Sequence, residues 1–135
     1  MSEARSPAWG VAGSSPFDFW AHNLERAGAF EPGTPGVHEG RAGSPGAGAE
    51  VEFSLCLEAG RIARVRYRFR GSPWTNAACA FYAHALEGQP PTCLWPTGAA
   101  VARQLGYPRT RYDEALIVED ALMAALAPLR EVSDD

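Results

Sequence analysis

The sequence predicts an α+β fold: a small antiparallel sheet of two to three strands with helices packed on one face. Three observations predict it. Two adjacent runs alternate apolar and polar residues with period two. A glycine turn joins them. Everything after them reads as helix.

The hairpin carries the clearest signal. Val51, Phe53, Leu55 and Leu57 alternate with Glu52, Ser54, Cys56 and Glu58. Beyond the turn, Val65, Tyr67 and Phe69 alternate with Arg64, Arg66, Arg68 and Arg70. Each run therefore has one buried face and one wet face. A two-residue loop, Ala59-Gly60, sets Leu55 opposite Arg64 and mixes the faces. A three-residue loop, Glu58-Ala59-Gly60, keeps apolar opposite apolar. The second register sets Glu52 near Arg66 and Glu50 near Arg68, and leaves the arginine stripe on the face away from the helices.

Before the hairpin, a helical segment runs from Pro16 to about Gly28, with Phe17, Trp20 and Leu24 on one face. Residues 31–49 have loop composition, with room for one edge strand from Val37 to Ala42. After the hairpin, Ser72-Pro73 starts a helix, Ser as N-cap and Pro at the first helical position. Ala78, Phe81, Tyr82 and Ala85 form its apolar stripe, and Gly88 stops it. A short helix follows over about Gly98 to Leu105, then a long, mostly apolar one over about Asp113 to Leu129. The chain divides into a flexible arm (1–15), one domain (16–130) and a tail (131–135).

Composition narrows the function. The 135 residues suit one domain, and 46% apolar against 21% charged residues allow a real core. A net charge of −4 argues against general nucleic-acid binding. All 12 basic residues are arginine. No apolar run reaches the roughly 18 residues of a membrane span, and the N-terminus lacks the apolar stretch of a secretion signal. Three cysteines, Cys56, Cys79 and Cys93, lack C-x-x-C spacing. They argue for reduced thiols in the cytoplasm, and against a disulfide framework or zinc knuckle.

Four segments in order resemble the NifU N-terminal/IscU family of iron–sulfur cluster assembly scaffolds. They are FWAHNLERAGAF, GRAGSPGAGAEVEFSLCLEAGRI, VRYRFRGSPWTNAACAFYAHALEG and LGYPRTRYDEALIVEDALMAAL. The resemblance spans about residues 17–128. It implies a SufE/NifU-like fold, a role as scaffold rather than enzyme, an iron–sulfur cluster, zinc or iron as the bound group, and a cysteine desulfurase or another assembly protein as partner. In the family, three cysteines, an aspartate and a histidine meet at one end of the molecule. Here the first cysteine falls at Gly48 or Ala47, the aspartate at Glu50, the second cysteine at Ser72, and the histidine and third cysteine at Asp113 and Glu114. No thiolate stands at any of them. Thiolates suit iron–sulfur units; serine and carboxylates do not.

Two readings of these positions stand side by side. Glu50, Ser72, Asp113 and Glu114 offer an oxygen site for a harder cation. Alternatively, Ser72 is an N-cap, Asp113 and Glu114 favour a helix N-terminus, and Glu50 pairs with Arg68. Cys93, in a Pro-flanked loop, is the candidate thiol if the chain is instead a sulfur acceptor of the SufE type. No residue nearby in sequence lowers its pKa. His22, His38 and His84 do not cluster. The arginine stripe is either a solvated face or a dock for an acidic partner. Three functions follow: a divergent scaffold working through partners with weak or no cluster binding, a sulfur-transfer accessory using Cys93, or an interaction domain without metal or sulfur chemistry.

Overall fold

The computed structural model describes residues 16–133, with side chains through Arg130. The arm expected over 1–15 and the last two residues lie outside this range. Helix α1 (Pro16–Ala21) leads to strands β1 (Val37–Ser44), β2 (Ala49–Glu58) and β3 (Arg61–Arg70). Helices α2 (Pro73–Leu86), α3 (Gly98–Leu105) and α4 (Tyr112–Ser133) follow. The strands form one antiparallel sheet in the order β1-β2-β3. The α+β reading holds.

The core lies between one sheet face and the helices. Val51, Phe53, Leu55, Val65 and Tyr67 point into it from the sheet, and Tyr82, Leu86, Val118, Leu122 and Leu126 meet them from α2 and α4. Burying each large apolar side chain contributes about 1.5–3 kcal/mol. Helix α4 crosses directly over β1. A Cβ at Gly40 would lie 2.1 Å from the backbone nitrogen of Ala125, so only glycine allows this approach.

The hairpin satisfies the predicted parity by a different route. Its loop has two residues, Ala59 (φ 53°) and Gly60 (φ 76°). Leu57 faces Ile62 and Cys56 faces Arg64, so Ala63 is an extra, bulged residue. The bulge restores apolar against apolar, and the pairing runs two residues beyond the three-residue-loop register. Glu52 therefore faces Arg68, not Arg66, and Glu50 faces Arg70, not Arg68.

Helix α1 is shorter than its periodicity suggests. It ends at Ala21, and Leu24 is exposed. Asn76 provides the reason. Its amide donates to the carbonyls of Trp20 (3.3 Å), Ala21 (3.0 Å) and Asn23 (3.0 Å). Its oxygen accepts from the buried Tyr67 hydroxyl at 2.6 Å. The helix end is thereby unwound onto α2. At the other terminus, α4 runs past the expected boundary to Ser133.

The segment after α1 closes one edge of the sheet and crosses part of its outer face. Tyr67 N–H donates to Arg26 O and Gly28 N–H to Tyr67 O, a parallel bridge on the outer edge of β3. The chain then crosses the outer face. Phe30 lies 5.2 Å from the Arg64 guanidinium and 5.5 Å from that of Arg66. Cys56 is buried there, not wet as the alternation predicts, and its thiol points to Pro35 O at 3.6 Å.

Candidate functional site

Three of the residues matched to family ligand positions, Ser72, Asp113 and Glu114, lie where α2 and α4 begin. Ser72 has extended backbone (φ −94°, ψ 176°), and its hydroxyl oxygen accepts from Trp74 N–H at 3.0 Å, the N-cap geometry. The same hydroxyl donates to Glu114 Oε1 at 2.5 Å. Thr75, one turn into α2, donates to that oxygen at 2.6 Å. Arg111 Nη1 bonds the other oxygen, Oε2, at 2.9 Å. Glu114 is 7% exposed, so these bonds form largely out of water.

The electrostatics follow. Burial alone raises the Glu114 carboxyl pKa. The hydrogen bonds from Ser72, Thr75 and Arg111, with the Arg111 charge, outweigh it and hold the group below its ordinary value. Glu114 is thus a carboxylate satisfied by two hydroxyls and a guanidinium. It ties the first turn of α2 to the first turn of α4.

The other two matched residues do not join it. Asp113 is exposed on the first turn of α4. Glu50 is half-buried on β2, opposite Arg70. It lines an open cleft of about 580 Å³ on the outer sheet face, with Arg41, Glu52, Arg68 and Arg70. Within that cleft Glu52 takes Arg68 on Oε1 and Arg41 on Oε2, the latter at 3.3 Å. Among the described residues no group of three or more His, Cys, Asp and Glu is placed to hold a metal ion.

The cysteines lie elsewhere. Cys79 is fully buried in the core on α2, where burial pushes its thiol pKa well up. Cys56 is under the crossing segment. Cys93 is half-buried in the loop before α3, and Arg130 pins that loop. The Arg130 guanidinium donates to Pro91 O (3.0 Å) and Cys93 O (2.6 Å), and stacks 4.0 Å from the Trp95 ring. Burial pushes the Cys93 thiol pKa up, only partly offset by Arg130 and a backbone hydrogen bond.

The donors at the matched positions therefore do not fit a thiolate-held cluster. A guanidinium stands beside Glu114, and three hydrogen bonds already occupy both of its oxygens. The arginine stripe is also not uniform. Among the described residues, Arg66 pairs with Glu87, Arg64 with Glu58 and Arg68 with Glu52, while Arg70 is exposed opposite Glu50. Of the tryptophans, Trp20 is core, Trp74 stacks on Phe17 at 3.8 Å, and Trp95 lies under Arg130.

Sequence reasoning missed Thr75, Arg111 and Asn76. Two of them carried a signal: Thr75 is three residues after Ser72, and Arg111 three before Glu114. Both spacings bring side chains onto one helical turn.

No family model matches the chain, and no curated protein does. Solved structures do. An iron–sulfur cluster assembly scaffold protein for the SUF system, from the thermophile Fervidobacterium islandicum AW-1, is similar at 16% identity with a TM-score of 0.62, covering 84% of this chain and 95% of that one. The N-terminal part of a NifU-like protein from Brucella abortus is similar at 17% identity with a TM-score of 0.59, covering 86% of this chain and 92% of that one. The resemblance carried by the four sequence segments is therefore one of fold: this chain folds as the NifU/SufU scaffold proteins do.

Proposed function

We propose that this chain is a divergent scaffold-type protein of iron–sulfur cluster assembly. It acts by binding partners and does not hold the cluster through its own cysteines. One observation carries this reading: within a NifU/SufU-like fold, Ser72 and Glu114 at two matched ligand positions are bonded to each other and to Arg111. That network gives rigidity to the end of the molecule where a scaffold exposes its cargo. It offers no soft ligand for iron.

The partner in this reading is a cysteine desulfurase or another assembly protein, in the cytoplasm, where three free cysteines stay reduced. The chain is then a non-enzymatic component. Among the described residues, no helix is long and apolar enough to cross a membrane. The SufE-like alternative through Cys93 is disfavoured by its half-buried, raised thiol.

The test is calorimetric titration of the metal-free chain into a cysteine desulfurase. Saturable binding supports the partner role. Absence of binding to the desulfurase and to the other assembly proteins removes it.

A further inference from the structure

The two edges of the sheet are treated differently. The outer edge of β3 is closed by the chain itself. Arg26 and Gly28 bond Tyr67, Glu87 Oε2 accepts from Val65 N–H at 2.9 Å, and Ile62 exchanges bonds with Gly88 and Gln89. The outer edge of β1 has none of this. Among the described residues, no backbone group outside the sheet bonds to the backbone of any residue from Val37 to Ser44; the one such contact, from Ala47 N–H, goes to the Ser44 side chain at the strand's end.

We propose that this open edge pairs with β1 of a second copy of the chain, in antiparallel register about Gly40. Hydrogen-bond parity allows it. Leu57 N–H donates to Gly36 O, so even-numbered residues of β1 bond inward to β2, and Val37, Glu39 and Arg41 turn their backbone groups outward. Pairing about Gly40 sets outward Glu39 against outward Arg41 of the partner, twice by symmetry. Slipping two residues either way sets Glu39 on Glu39 or Arg41 on Arg41, which like-charge repulsion disfavours. The self-complementary register is thus the one the charges select.

Two further features suit the edge to this use. Helix α4 backs it at van der Waals distance through Gly40, so the strand is held extended before binding. Arg41 is 77% exposed and makes a single 3.3 Å contact with Glu52. In the pair it bridges Glu52 of its own copy and Glu39 of the other. The outer face of the sheet then continues across both copies.

The experiment is sedimentation equilibrium of the full chain over a wide concentration range, with amide hydrogen exchange at Val37, Glu39 and Arg41. The expected result is a monomer–dimer equilibrium, with protection of these amides rising with concentration. Arg41→Glu and Glu39→Arg each weaken the dimer about tenfold or more, and the double variant restores it. Circular dichroism checks that all three fold. A monomer at every concentration overturns the proposal. So does a dimer indifferent to these charges, and so does concentration-independent protection, which would mean that the chain covers its own edge.

Discussion

The Ser72 hydroxyl donates to Glu114 Oε1 at 2.5 Å across 42 residues of sequence, joining the N-terminus of α2 to that of α4. The same hydroxyl oxygen caps α2 through Trp74 N–H. One side chain thus completes a helix end and crosslinks two helices.

This predicts an order of stabilities. Ser72→Ala removes a cap and one of three bonds to Glu114, and costs about 1–2 kcal/mol. Glu114→Ala leaves the Ser72 and Thr75 hydroxyls without their acceptor and Arg111 without its partner, and costs about 2–4 kcal/mol. Urea denaturation of both variants checks the order. Equal, negligible losses would show that the network is slack.

The same carboxyl sets a pH dependence. Its folded pKa is below the ordinary 4.5, so the unfolded chain takes up the proton first as pH falls. The stabilisation is complete above that ordinary value and is lost as pH falls through the folded value. Glu114→Gln should flatten the stability profile below pH 4.5 and leave its slope near neutrality unchanged. Denaturation midpoints across acid pH measure this.

Asn76 is the clasp for the segment after α1. Asn76→Ala strips a donor from three carbonyls and the acceptor from Tyr67, and should cost about 2–4 kcal/mol. Hydrogen exchange should rise first at Gly28 and Tyr67, whose bridge depends on the path of that segment. Uniform change throughout the chain would place Asn76 in the global core instead.

Cys93 should behave as an unactivated thiol. Its alkylation rate should rise only at pH above that of a free cysteine, because burial raises its pKa. Cys93→Ser should leave desulfurase binding unchanged. Rapid alkylation at neutral pH would revive sulfur transfer through this residue.

The fold was legible where one physical rule dominated. Alternation fixed which residues of β2 and β3 face the core, and Ser72-Pro73 marked the start of α2. The hairpin register was not legible, because the bulge at Ala63 and a three-residue loop give the same parity two residues apart. The end of α1 was missed because Asn76, a distant side chain, outbids local periodicity for the backbone. Cys56 was read as wet because nothing local shows that residues 28–36 fold over it; the lone Phe30 in a Gly/Pro-rich stretch was the available hint. At the site, capping explained Ser72, but its bond to Glu114 is a tertiary contact. The separation of Glu50 and Asp113 from that pair likewise depends on where β2 and α4 lie in three dimensions.

The central claim is a scaffold fold without its own cluster site. Anaerobic reconstitution with Fe²⁺, sulfide and a cysteine desulfurase tests it most directly, read by visible absorption and by iron and acid-labile sulfide per chain. The predicted result is a colourless protein without stoichiometric iron or sulfide. Stoichiometric iron and sulfide with thiolate-to-iron absorption bands would contradict it, since they would require thiolate ligands and none stands at Ser72 or Glu114.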